Sequence, residues 1–194
     1  MTQGFFVNSA NCYGCKSCQV ACANEKVLTP GVFIRRVREV EKAGGHAFVS
    51  MSCNHCDEPA CVANCPVGAY QKLDNGLVVQ DHEKCIGCKT CIEACPFHAP
   101  AYDEVTSTTY KCDGCIDRRA AGLPPVCTVA CPSANISLDE FETVLSGHAG
   151  AVSVKDVSET HPNLAVTLDP DITVEAFADI DGMAETVDRG GEGY

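Results

Sequence analysis

Sixteen cysteines fall into four blocks of four along this chain, and none is left over. The first block reads Cys12-x2-Cys15-x2-Cys18-x3-Cys22, and the third, Cys85-x2-Cys88-x2-Cys91-x3-Cys95-Pro96, repeats that spacing. The second, Cys53-x2-Cys56-x4-Cys61-x3-Cys65-Pro66, and the fourth, Cys112-x2-Cys115-x11-Cys127-x3-Cys131-Pro132, widen only the middle gap. A chain marked in this way must fold so that short loops gather thiols in fours. Proline lacks an amide hydrogen and restricts the residue before it, so three blocks end their last helical turn at Cys-Pro. The first block has Ala23 at that position, and its turn is expected to run on through Asn24 and Glu25.

The third block matches the bacterial ferredoxin run residue for residue. Three thiolates a few residues apart wrap a loop over three irons of a cubane. The fourth cysteine rides on a turn that leaves the loop and so reaches a neighbouring cluster. Blocks of this kind work in pairs, and sixteen thiolates at four per cluster give four [4Fe-4S] clusters. Zinc is the first alternative, since paired CxxC knuckles are its usual sign, but a tetrahedral site has no use for a third and fourth cysteine in the same run. Disulfides are the second. They suit short secreted scaffolds, and adjacent CxxC thiols rarely staple a fold.

Large apolar residues are sparse, with no Trp, three Met and seven Phe, so clusters are expected to replace part of the core. The net charge of −12 is unevenly spread. Residues 1–134 carry thirteen acids against twelve bases, whereas residues 135–194 carry thirteen against two, Lys155 and Arg189. A nearly neutral body with an acidic extension argues against a nucleic-acid partner. Met1–Val7 shows no basic, apolar or twin-arginine segment, so no export signal is expected in this chain. No apolar run approaches the ~18 residues of a membrane span. The expected location is cytoplasmic, or membrane-associated or periplasmic if a signal-bearing partner exports the folded chain.

Hydropathy alternation predicts strands at Gly4–Asn8, Val32–Val40 and His46–Ser52, the last two joined by a turn at 42–45. Asp74-Asn75-Gly76 marks a hairpin between Tyr70–Leu73 and Leu77–Gln80. A second hairpin is predicted from Ala101–Asp103 and Ser107–Lys111. Short helices are expected at Cys61–Gly68, Glu93–Cys95, Asp117–Ala121 and Val126–Ala130. Ser137-x-x-Glu140 reads as a capping box for a helix over Leu138–Leu145. Strands are expected at Ala151–Val157 and Asn163–Leu168, with a mobile final dozen residues. The fold class is α+β. Blocks two and three form a compact inner module over about 50–100, and blocks one and four form an outer module from 1–49 and 101–134. Two ferredoxin-like double-cluster modules are thus nested, followed by the cysteine-free extension 135–194.

From Gly4-Phe5-Phe6 to about Pro132 the chain resembles the four-cluster subunit of molybdopterin oxidoreductases, most closely the dimethyl sulfoxide reductase type. The residues carrying the likeness are Ser52-Cys53-Asn54-His55-Cys56, Cys85-Ile86-Gly87-Cys88, and Lys111–Arg118 with Pro125-Val126-Cys127. The resemblance implies four ligand sets. Cys12, Cys15, Cys18 and Cys131 hold cluster one; Cys22, Cys112, Cys115 and Cys127 hold cluster two. Cys53, Cys56, Cys61 and Cys95 hold cluster three; Cys65, Cys85, Cys88 and Cys91 hold cluster four. It also implies a large molybdopterin catalytic subunit on the cluster-one side and, in many members, a separate quinol-oxidising membrane anchor on the other. In some members, nitrate reductases among them, an aromatic residue replaces the cysteine matching Cys88 and that cluster has three irons.

No flavin motif, dinucleotide fingerprint or catalytic constellation is present, so the chain is read as a non-catalytic electron-transfer subunit. The alternative is a free polyferredoxin serving a hydrogenase or another reductase. His55 is read as a surface group or one behind the ligands, and His82 and His98 as bland. Asp117 and Arg118 are read as a local ion pair fixing the long gap of block four, and Arg35, Arg36 and Arg38 as one solvated strand edge.

Overall fold

The computed structural model describes residues 2–42, 45–170 and 172–174. Strand β1 (Gln3–Asn8) carries Phe5-Phe6-Val7, a continuous apolar run that suits a strand covered on both faces. Phe5 and Val7 point into the main core with Val49, Ile136, Leu164 and Val166. Phe6 points the other way, into a smaller cluster with Phe141, Val144 and Ala165. Burying each of these phenylalanines contributes about 1.5–3 kcal/mol.

Helix α1 (Ser17–Glu25) follows the first cysteine loop and continues past Cys22, as Ala23 allows. Strands β2 (Arg36–Lys42) and β3 (Gly45–Met51) pair antiparallel from Arg36↔Met51 to Lys42↔Gly45, with 43–44 outside the described residues. Then come α2 (Ala60–Ala63), β4 (Tyr70–Lys72), β5 (Val78–Gln80), α3 (Thr90–Ala94), β6 (Ala101–Asp103) and β7 (Thr108–Tyr110). The two predicted hairpins are β4–β5 and β6–β7. Helices α4 (Ile116–Ala120) and α5 (Val126–Val129) span the long gap of block four. The last elements are β8 (Ile136–Glu140), α6 (Phe141–Gly147), β9 (Val152–Ser153) and β10 (Leu164–Thr167).

The largest sheet runs β8-β1-β10-β9. β1 pairs antiparallel with β8 (Phe5↔Leu138) and parallel with β10 (Phe5↔Leu164). Strands from residues 136–167, read from sequence as part of an extension, therefore share a sheet with the N-terminal strand. The architecture is α+β, with three small hairpins and one mixed sheet surrounding the cysteine loops. Among the described residues, no helix is long and apolar enough to cross a membrane.

Four expectations need correction. Ser137-x-x-Glu140 is not a capping box. The alternation Ile136/Leu138 pairs with β1 as a strand, and α6 starts at Phe141 with no side-chain cap. The strand expected over 151–157 is only Val152–Ser153, followed by a 3-10 turn at Lys155–Val157. The helix expected at Cys61–Gly68 ends at Ala63. The arginines are not a solvated edge: Arg35 is 1% exposed and Arg38 6%, while Arg36 reaches across to the His98 carbonyl at 2.8 Å. Alternation could not reveal this, because the adjoining face of β2 is covered by the loop around Phe97–Ala99. The final dozen residues lie outside the described residues.

Gly4 sits where β1, α6 and the segment preceding β10 close on one another. A methyl group on it would lie 2.5 Å from Phe141 Cδ2 and 2.7 Å from the Asn163 carbonyl oxygen. Gly4→Ala is expected to cost about 1–3 kcal/mol by overpacking. Gly147→Ala, which meets nothing within 4 Å at the end of α6, is expected to be neutral or stabilising. Denaturation midpoints of the two variants check this pair.

Candidate iron–sulfur centres

All four blocks share one local geometry. The residue before the second cysteine is left-handed in each: Gly14 (φ 75°), His55 (φ 47°), Gly87 (φ 67°) and Gly114 (φ 70°). Glycine takes that conformation without a side-chain clash, and only His55 holds it with one. The third cysteine is then the second residue of a helix in every block: Cys18 in α1, Cys61 in α2, Cys91 in α3 and Cys127 in α5. The fourth follows one turn later, inside α1 for Cys22 and just beyond the helix end for Cys65, Cys95 and Cys131. α1 packs against α5, and α2 against α3, so blocks one and four meet and blocks two and three meet.

This packing brings two of the expected fours together around cavities and the other thiols within reach of one another's charge. Cys12, Cys15, Cys18 and Cys131 line one cavity, walled by Val7, Val37 and Ile136. Cys65, Cys85, Cys88 and Cys91 line another beneath Tyr70. Cys22 feels the charge of Cys127 and Cys115, and Cys112 that of Cys22 and Cys127. Cys61 feels Cys53, Cys95 and Cys56. Charge interactions also reach from one group to the next. Cys18 senses Cys127, Cys112 senses Cys53, and the Tyr70 hydroxyl senses both Cys91 and Cys61. None of the sixteen is joined in a disulfide.

Burial pushes the thiols of Cys22, Cys56 and Cys61 up to about 12 and Cys112 well above its usual value. Thiolates there need a positive core to balance them, which fits iron. Among the described residues, no three Cys, His or carboxylate groups converge closely enough for a single metal ion. The outer thiols behave oppositely. The Ser17 hydroxyl and amide lower Cys15, and the Thr90 hydroxyl and amide lower Cys88.

Hydrogen-bond donors surround the sulfurs. The His55 amide donates to Cys53 Sγ (3.5 Å), Gly114 to Cys112 (3.4 Å), Ala69 to Cys65 (3.2 Å) and Asn135 to Cys131 (3.3 Å). The Tyr70 hydroxyl donates to Cys91 Sγ at 3.2 Å. Buried Lys111 donates to Cys53 Sγ (3.6 Å), the Cys112 carbonyl (2.8 Å) and, more closely, the Val78 carbonyl. In the sequence Lys111 stands out only as part of a motif, and Tyr70, Ser50 and Thr109 do not stand out at all. The place of Lys111 directly before a cysteine block is no signal by itself, since Lys84 stands there too and is exposed, paired with Asp81.

Of the two readings of His55, the structure takes the one behind the ligands: it is fully buried. Its Nδ1 accepts the Val78 amide at 2.9 Å, leaving its proton on Nε2, and burial, reinforced by Lys111, holds it well below the usual histidine range. Arg118 pairs with Glu25 (3.1 Å) rather than Asp117, and its Nε donates to the Pro124 carbonyl (2.9 Å). The long gap is thus tied by Arg118 through the backbone, and α4 is tied to α1. His82 is exposed and lies against Tyr110, ring centres 4.6 Å apart.

A family described as 4Fe-4S dicluster domain matches residues 45–141. The B component of the anaerobic dimethyl sulfoxide reductase of Escherichia coli (strain K12) is 39% identical over 180 residues, covering 84% of this protein and 87% of that one. The B component of the tetrathionate reductase of Archaeoglobus fulgidus is 45% identical over 120 residues, covering 62% of this protein and 58% of that one. The thiosulfate reductase electron transfer subunit of Salmonella typhi is 41% identical over 144 residues, with 68% and 73% covered. With its cysteine loops, ferredoxin-like α+β fold and these relatives, the protein belongs to the iron–sulfur beta-subunit family of molybdopterin oxidoreductases, dimethyl sulfoxide reductase type, whose cofactors are [4Fe-4S] clusters.

Proposed function

We propose that this chain carries four [4Fe-4S] clusters and relays electrons between a quinol- or carrier-side donor and a molybdopterin catalytic subunit. The ligand sets are Cys12/Cys15/Cys18/Cys131, Cys22/Cys112/Cys115/Cys127, Cys53/Cys56/Cys61/Cys95 and Cys65/Cys85/Cys88/Cys91. Bound clusters would supply one-electron sites; the chain orders, insulates and tunes them. Two nested modules, the outer from blocks one and four and the inner from blocks two and three, follow from the same assignment.

The observation carrying this reading is the serial order of the thiol groups together with their exposure. Burial is deepest in the middle of the series, whereas Cys15 and Cys88 reach solvent in the two end groups. Each lies beside a large exposed apolar residue, Tyr13 at 57% and Ile86 at 63%. The exposed thiols make the two ends the places where electrons would enter and leave, the catalytic subunit at Cys15 and the donor side at Cys88.

Anaerobically purified protein is expected to hold about sixteen iron and sixteen sulfide, four per tetrad, and essentially no zinc. Stoichiometric zinc with little iron would sink the proposal. Cys88→Ser is expected to create a three-iron signal in electron paramagnetic resonance of the oxidised protein. If the unaltered chain already shows that signal at full occupancy, Cys88 is not a ligand.

A chain tagged in its native host is expected to emerge in a complex with a much larger molybdopterin subunit, through an interface above about 2,000 Å². Sizing and cofactor analysis of the product test this. A cluster-loaded monomer that reduces several unrelated proteins would favour the free polyferredoxin.

A further inference from the structure

Arg35 is the largest fully buried side chain of the described residues, at 1% exposure. No carboxylate pairs with it among those residues. Its Nη1 donates to Ser50 Oγ at 3.0 Å and its Nη2 to Ser52 Oγ at 2.8 Å, and its Cζ lies 4.8 Å from the Phe5 ring centre. An unpaired guanidinium is costly to bury, and it stays charged at any physiological pH. Burial disfavours its charge, and the groups that would offset this are Cys127, Cys112, Cys18 and Cys22 once ionised as ligands. Those cysteines divide between two proposed ligand sets: Cys18 in the first, and Cys22, Cys112 and Cys127 in the second.

Ser50 adds a second link. Its oxygen accepts from Arg35 and stands 3.4 Å from Cys18 Sγ. A hydroxyl has one hydrogen to give. With the arginine donating to its oxygen, that hydrogen is left for the sulfur. Arg35 thus acts on Cys18 through space and through an oriented hydroxyl.

We propose that Arg35 is the fixed counter-ion shared by the first two clusters, raising the reduction potentials of both and positioning the Ser50 hydroxyl on Cys18. The proposal rests on the ligand sets given under Proposed function. Reduction adds negative charge to a cluster, so a buried cation and a donor to sulfur both favour the reduced form. The strongest influences on Cys85 and Cys88, at the far end, are instead burial and the hydroxyls and amides of Thr109 and Thr90. Arg35 is not among the strongest influences on Cys56, Cys61 or Cys95 either, Lys111 being the cation that acts on the last two, so its effect is confined to one half of the series.

Redox titration followed by electron paramagnetic resonance, on the anaerobically purified complex, tests the assignment with Arg35→Gln and Arg35→Lys. Arg35→Gln is expected to lower the midpoints of two clusters and leave the other two unmoved. Arg35→Lys, which keeps the charge, is expected to hold those two midpoints near the unaltered values. The proposal is overturned if a fully loaded Arg35→Gln complex titrates like the unaltered one, or if all four midpoints move together. It is also overturned if Lys lowers the two midpoints as far as Gln does. Should Arg35→Gln fail to load clusters, Arg35→Lys decides alone: unchanged midpoints support the counter-ion, whereas lowered midpoints or lost clusters reduce Arg35 to a packing residue. Iron content of the unaltered complex is read first. A value short of four clusters defeats the ligand assignment itself, whatever the arginine does.

Discussion

Each cysteine block starts a helix one residue before its third cysteine and sends its fourth out one turn later. Four residues of helix rise about 6 Å, a step that lets one short helix serve two neighbouring thiol groups. The spacing also dictates how helices must pack. A fourth cysteine is useful only if another block's loop waits for it, so α1 lies against α5 and α2 against α3. The small hairpins then fill the gaps. β4–β5 brings Tyr70 to Cys91 and Val78 to His55, and β6–β7 brings Thr109 beside Cys85 and Cys91.

Such packing concentrates negative charge in a poor dielectric, and the chain answers with two kinds of donor. Backbone amides two residues after the first cysteine and four after the last point at sulfur in blocks two and four. Buried cations do the rest. Arg35 lies among Cys18, Cys22, Cys112 and Cys127, and Lys111 lies between Cys53 and the Cys112 carbonyl. Both are placed toward the middle of the series, where water is scarcest. At the ends, where Cys15 and Cys88 reach solvent, the hydroxyls of Ser17 and Thr90 serve in their place.

The loops were legible in sequence because their chemistry is written in local spacing. Cysteine intervals, Asp74-Asn75-Gly76, and the contrast between Ala23 and the three Cys-Pro ends each act within a few residues, and the structure follows all of them. What escaped was long-range. Ser137-x-x-Glu140 satisfies a local rule for a helix start, but pairing with β1 is worth more to that segment than a cap. Arg35 precedes a strand with charged neighbours and looked solvated. Its burial depends on Ser50, Ser52 and Phe5, which lie fifteen or more residues away in the chain. His55 looked ordinary because nothing nearby in sequence announces the left-handed turn that places its ring under β5.

The C-terminal region shows how a segment with little resemblance of its own still shapes a centre. β10 aligns parallel to β1, which fixes the residues just before it over the second cysteine loop. There Asn163 donates its amide to the Asn54 carbonyl (3.0 Å) and its side chain to the His55 carbonyl (2.8 Å) and Asp57 Oδ1 (2.9 Å). The Asp57 and Glu58 amides donate in turn to the His161 and Thr160 carbonyls, and Lys155 pairs with Asp57 at 2.8 Å. The Thr160 hydroxyl reaches Cys56 itself. A loop held from both sides in this way keeps His55 in a backbone conformation that a lone histidine would leave, because the clasp satisfies its carbonyl and Val78 anchors its ring at Nδ1. Burial of Cys53 and Cys56 is therefore a property of the sheet as much as of the block that contains them.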